Sequence, residues 1–262
     1  MNFTLQNNII SGAFVGQNIL TFKEITSTNN LLKEMLANST PLPEGTVIMA
    51  EHQTAGKGQQ QSGWHSEAGK NLLFSLFLLP GFLAPSNSFS LLCAISVGVI
   101  KSLQTISGDK TKIKWPNDIY YGQQKLGGIL IENIVGKNSI KQSVAGIGIN
   151  INQETFPDHL LNPISMQQIL HKKSVIKEVL SQICAGIEME YLKLKAGKFD
   201  EIRHDYLQNL YGLGQELPFK TNEEIFIGTI TTVNHLGLLG VQRNNKTEFF
   251  DLKQIRFLFN QP

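Results

Sequence analysis

The sequence predicts an α+β protein, a central sheet flanked by helices and followed by a small C-terminal SH3-like β-barrel. Three observations carry this. Apolar runs bounded by Gly, Pro and Asn recur at 46–50, 71–79, 125–135 and 144–152, as expected of buried strands. Two stretches, 86–106 and 175–195, repeat apolar residues at helical spacing. After Gly212 and Gly214 the composition changes to short strands separated by turns such as NHLG and NNK, which suits a small barrel. A division into 1–211 and 212–262 follows.

Bulk properties narrow the function. A chain of 262 residues can bury a large core and carry a second, smaller domain. With a formal net charge of +2 and 17% charged residues, there is no broad electrostatic case for binding nucleic acid or an anionic membrane. Arginine occurs only at 203, 243 and 256, so phosphate handled earlier in the chain falls to lysine or backbone amides. Cys93 and Cys184 lie in apolar helical surroundings and read as buried free thiols, which suits a reducing compartment. The six histidines show no metal-binding spacing. No signal peptide is visible, and no segment is expected to reach the ~18–20 apolar residues that span a bilayer, so a cytoplasmic location is expected.

In chain order, residues 1–13 are polar and asparagine-rich, and 19–22 suit a short strand. Ser27 or Thr28 can cap a helix whose stripe is Leu31, Leu32, Met35 and Leu36. Beyond the strand at 46–50 comes EHQTAGKGQQQSGW, residues 51–64, in which Gly56, Gly58 and Gly63 surround one lysine and no large aliphatic residue. Glycines here let successive N–H groups converge on an anion, Lys57 adds charge, and Trp64 offers a flat ring for stacking. Taken alone the segment equally suits a plain surface loop, and it has neither P-loop nor GxGxxG spacing.

KIKWPNDIYYGQQKLGGILIENIVG, from Lys112 to Gly136, reads as strand, proline stop, strand, turn and long strand. Lys125 enters an apolar strand and needs an anionic partner or a route to solvent. VAGIGININ, 144–152, is a strand whose glycines allow close approach to its backbone. Helices at 175–195 and 199–210 precede the barrel strands at 217–220, 224–233, 238–243, 248–252 and 255–259.

Four stretches together, STN at 27–29, QTAGKGQQQSGW at 53–64, KWPND at 114–118 with KLGGILIE at 125–132, and GIGININ at 146–152, resemble biotin protein ligases. The resemblance covers nearly the whole chain, in a form without an N-terminal DNA-binding domain. It implies a mixed central sheet of the class II synthetase type. It further implies that Ser27, Thr28, Asn29 and Gln53 recognise biotin's ureido ring, with Gly128 a close-approach point. Gly56, Lys57, Gly58 and Gln59 would close over biotin and the adenylate phosphate. Lys125 would sit between the biotin carboxylate and the α-phosphate, and Asp118 near the acceptor amine. Trp64, Lys114, Asn117 and Asn150 would line the adenosine side.

The implied substrates are biotin and ATP with Mg²⁺, and the implied partner is a biotin carboxyl carrier protein. Neither DNA nor membrane is expected, and a homodimer stays open. Many members of the family read GRGRRGRxW where this chain has Lys57, Gln59, Gln60 and Ser62, so two charged forks are absent and Lys57, Lys125 and backbone amides are expected to carry more of the anion binding. Competing readings are a lipoate or octanoyl ligase, a biotin-sensing DNA-binding repressor and an inactive biotin-binding module.

Overall fold

The computed structural model describes residues 4–7, 12–38, 41–59 and 63–259; Gln60 and Ser62, two of the positions that depart from the family's arginine-rich loop, lie outside them. An eight-stranded sheet is built from β1 (Thr4–Asn7), β2 (Asn18–Ile25), β3 (Val47–Gln53), β6 (Leu72–Leu78), β7 (Thr111–Lys114), β8 (Asp118–Tyr121), β9 (Gln124–Val135) and β10 (Ile140–Ile149). The strand order is β1-β2-β3-β6-β10-β9-β8-β7. Only β2 and β3 run parallel, joined by the crossover helix α1 (Thr28–Ala37), so the sheet is mixed. Two-residue strands β4 (Gly56–Lys57) and β5 (Gly63–Trp64) pair with each other.

Period-two alternation puts two different layers on this sheet. Val47, Met49, Leu72, Phe74, Leu76, Ala145, Ile147 and Ile149 face the main core. That core is closed by α2 (Ser88–Ser107) and, after the short helix α3 (Met166–Leu170), by α4 (Ile176–Lys195) and α5 (Phe199–Gln208). Leu20, Phe22, Ile48, Phe77 and Val144 face the other way and pack on Leu31 and Leu32 of α1. α1 is only ten residues long, so it covers part of that face. Over the uncovered part the strands carry Gly128, Gly146 and Gly148, and the functional cavity opens there.

Two expectations are corrected by the fold. With the 3-10 turn before it, Pro85–Ser107 is long and apolar enough to cross a membrane by length and composition. Its apolar residues, Leu91, Ile95, Val99 and Leu103 among them, are instead fully buried in the core. Ser27 stands at the N-cap of α1 in extended conformation but makes no side-chain capping hydrogen bond. Its neighbours Thr28 and Asn29 turn their side chains into the hydrogen-bond network described below.

The C-terminal strands β11 (Glu216–Lys220), β12 (Ile225–Val233), β13 (Leu239–Arg243), β14 (Lys246–Phe250) and β15 (Arg256–Phe257) form an antiparallel sheet in the order β14-β13-β12-β11-β15, of the SH3-like kind. Its Phe219, Ile230, Val233, Leu239 and Val241 belong to the same continuous core as the large sheet. Trp115 Nε1 donates to the Gly237 carbonyl at 2.8 Å and Arg203 to the Val233 carbonyl at 2.7 Å, which fixes the barrel against the strand end that carries the site.

Candidate functional site

A cavity of about 660 Å³ lies over the glycine-bearing face of the sheet, between α1, the β4–β5 hairpin and the last segment of the barrel. The glycines make the room. A Cβ on Gly146 would stand 2.3 Å from Asn29 Oδ1, and one on Gly148 would stand 2.7 Å from the Trp64 ring. Such approaches are closed to any other residue, so these strand positions admit the Asn29 side chain and the indole against bare backbone.

One end of the cavity is polar and mostly uncharged. Ser27, Thr28, Asn29 and Gln53 line it, and all but Gln53 are buried. Gln53 Oε1 accepts from the Thr28 backbone N–H at 2.8 Å and from the Thr28 hydroxyl at 3.1 Å. Behind them Ser75, fully buried in β6, places its Oγ 2.7 Å from Thr28 Oγ1 and 2.5 Å from Asn29 Oδ1. Asn29 Nδ2 donates to Glu132 Oε2 at 2.8 Å, and Lys33 Nζ pairs with Glu132 Oε1 at 2.5 Å. Burial opposes ionisation of Glu132, but the bonds from Lys33 and Asn29 hold its carboxyl below the usual range.

The other end is cationic. Lys125 Nζ lies 2.7 Å from Asp118 Oδ1, and 5.9 Å from the centre of the Trp64 ring. The anionic partner that Lys125 requires is therefore the neighbouring strand's carboxylate. Lys114 is held 5.3 Å from the ring centre of Tyr120, 5.0 Å from that of Phe257 and 5.7 Å from that of Phe259. Burial pulls its ammonium below the usual lysine range, against the opposing charge of Asp118. Lys57 also lines the cavity and donates to Asn30 Oδ1 at 2.9 Å. Asp118 is the one carboxylate among the described lining residues, against Lys57, Lys114, Lys125 and Arg256. Such a site attracts anions.

Of the residues singled out in the sequence, Ser27, Thr28, Asn29, Gln53, Lys57, Gly58, Gln59, Trp64, Lys114, Asn117, Asp118, Lys125 and Gly128 all line this cavity. Gly56 sits just behind it, where a Cβ would come within 2.6 Å of the Trp64 carbonyl oxygen across the hairpin. Asn150 lies outside the lining, its side-chain amide spent on the Ile164 carbonyl at 3.0 Å and the Lys125 carbonyl at 3.4 Å. Asn117 lines the cavity and also ties β9 to the turn after the cis Trp115–Pro116 bond through the Ile129 carbonyl.

The sequence reading missed Ser75 and Glu132, which stand behind the lining, and Ile255, Arg256, Phe257 and Phe259, which reach it from the barrel. The expectation that phosphate handled early in the chain falls to lysine and backbone did not foresee Arg256, which the fold returns to the cavity from the end of the chain. A signal for Ser75 was available. A lone hydroxyl in the otherwise apolar run LLFSLFL must find a buried partner.

A family model described as the biotin/lipoate A/B protein ligase family matches residues 21–150. The bifunctional ligase/repressor BirA of Bacillus subtilis is 30% identical over 234 residues, covering 88% of this chain and 71% of that protein. The chain belongs to the biotin/lipoate A/B protein ligase family. The biotin protein ligase from Aquifex aeolicus, in its structure with biotin and ATP, matches this ligase with a TM-score of 0.76 at 26% identity, over 92% of this chain and 98% of that one. Biotin--protein ligase 2 of Arabidopsis thaliana is 24% identical over 241 residues, 90% of this chain and 71% of that protein.

Proposed function

We propose that this ligase is an ATP-dependent biotin protein ligase. It joins biotin and ATP into biotinyl-5′-AMP with release of pyrophosphate, then passes the biotinyl group to a lysine of a biotin carboxyl carrier protein. The observation that carries this is one cavity with a neutral, acceptor-rich end beside a cationic end. A ureido ring presents N–H donors to the first, and the carboxylate and phosphates meet the second. The relatives' names point the same way.

In the first step a biotin carboxylate oxygen attacks the α-phosphorus and pyrophosphate leaves. No protein nucleophile is required. Two anions must be held together, and Lys125 at the centre of the cavity, with Lys57 and the amides of Gly58 and Gln59, supplies the positive field. Lys114 and Arg256 face the nucleotide end, and Trp64 and Asn117 its adenosine side. Among the described residues no cluster of His, Cys, Asp or Glu is built to hold a metal. Mg²⁺ would enter with the nucleotide, Asp118 being the one described lining carboxylate that could help hold it, and would supply further charge neutralisation at the phosphates.

In the second step the acceptor amine attacks the mixed anhydride carbonyl and AMP leaves. Once an anion engages Lys125, Asp118 is released from its ion pair to take the proton of the attacking amine. The division falls at 1–211 and 212–262: the first part carries most of this chemistry, and the barrel strands between Glu216 and Phe257 bring Arg256 to the nucleotide end. Incubation with ATP, biotin and a biotin carboxyl carrier domain should add one biotinyl mass to the carrier, and lipoate or octanoate in place of biotin should add nothing. A carrier modified by lipoate but not by biotin would overturn the proposal.

A further inference from the structure

We infer that Glu132, with Lys33 behind it, is a positioning residue that sets the hydrogen-bond polarity of the ureido end, making it a receptor for N–H donors. The inference rests on the proposed function and extends it to two residues that do not line the cavity.

Proton bookkeeping carries it. A carboxylate only accepts, so the 2.8 Å contact with Glu132 Oε2 fixes which end of the Asn29 amide is nitrogen. The second Asn29 N–H goes to the Leu130 carbonyl at 3.4 Å. Asn29 therefore turns its oxygen towards Ser75 and Gly146. From there the floor is a chain of oxygen–oxygen contacts, Asn29–Ser75 at 2.5 Å, Ser75–Thr28 at 2.7 Å and Thr28–Gln53 at 3.1 Å, and Gln53 Oε1 also accepts the Thr28 backbone N–H at 2.8 Å. Only the Ser75 and Thr28 hydroxyls have protons to place in them, since Asn29 Oδ1 and Gln53 Oε1 are pure acceptors. Both hydroxyl protons are used inside this chain of oxygens, so the floor turns acceptor lone pairs and no spare proton to the cavity, where an unmet acceptor is costly. An incoming ring N–H supplies what the floor lacks.

Lys33 determines what Glu132 can be replaced by. It occupies Glu132 Oε1 at 2.5 Å. In Glu132→Gln the single oxygen stays with Lys33, so the new amide nitrogen faces Asn29. Asn29 must then turn over, and its own NH₂ fills the floor that the ligand should fill. Removing Lys33 as well frees the glutamine to rotate its oxygen back to Asn29.

Biotin titration calorimetry on the full chain and its Glu132→Gln, Lys33→Met and double variants tests this. Lys33 and Glu132 side chains are 35% and 31% exposed, so these substitutions leave the core intact. Glu132→Gln should weaken biotin about tenfold or more, and Lys33→Met about threefold at most. The double variant should recover most of the loss, and ATP affinity should be equal in all four proteins. Rescue of one variant by a second loss is a result that simple structural damage does not give. Unchanged biotin affinity in Glu132→Gln, a double variant no better than Glu132→Gln, or a parallel fall in ATP affinity overturns the inference and leaves the proposed function standing. A wild-type chain that binds ATP but no biotin overturns the proposed function, and this inference with it.

Discussion

Lys125 shows how much a single position can decide. Its ammonium enters from a buried strand and meets Asp118 at 2.7 Å, where the proposed function would bring the two substrate anions together. Removal of one such electrostatic group costs on the order of 10²- to 10³-fold in rate. Lys125→Ala is therefore expected to lose at least about 10²-fold in biotin-dependent pyrophosphate exchange, and near-normal exchange would remove its assigned role. Glu188 plays a structural part at the same scale. Its carboxylate accepts the backbone N–H groups of Ala13, Phe14 and Val15 at 2.6, 2.7 and 2.8 Å. Burial opposes its charge, yet these three donors hold its carboxyl below the usual range. The stabilisation is complete above the unfolded glutamate value of about 4.3 and is lost as pH falls through the lower folded value. Denaturant titrations should show Glu188→Gln less stable by about 1–3 kcal/mol at neutral pH, with the gap from wild type closing in acid.

Elements were legible where pattern and burial agree. β6 is buried at every position and its run LLFSLFL can only be an interior strand, and α2 and α4 declare themselves by their stripes. The β4–β5 hairpin was not legible, because two-residue strands made of Gly56, Lys57, Gly63 and Trp64 carry no alternation to read. Nor could spacing show that the Thr28 and Asn29 side chains join a polar network, since their partners lie 25 to 103 residues away. The α2–α4 crossing depends on two glycines in the same way. A Cβ on Gly98 would stand 2.6 Å from Ile187 Cα and 2.7 Å from the Gly186 carbonyl oxygen, so the helices touch through bare backbone. Gly98→Ala should force them apart at a cost of about 1–3 kcal/mol, seen as a lower thermal midpoint with little change in substrate KM.

For the molecule as a whole, the residues expected to bind biotin came from local motifs and nearly all line one cavity, whereas the barrel's share of that cavity was not legible. Phe257 and Phe259 reach Lys114, and Arg256 the cavity wall, only because the end of the chain folds back to the site. Phe257→Ala opens the aromatic box around Lys114, and KM for ATP should rise roughly two- to thirty-fold while KM for biotin stays put; equal effects on both would argue against a nucleotide role for the box. β9 has one more consequence. This single strand carries both Lys125, whose side chain lies alongside Gly128, and Leu130 near the polar end of the cavity. On the proposed function it is a fixed gauge against which an acid is measured, ring at one mark and carboxylate at the other. A biotin homologue longer or shorter by one methylene should still seat its ring but miss the second mark. Since about 1 Å of misplacement can cost on the order of 10²-fold, such homologues should bind as competitors in exchange assays and be adenylated poorly.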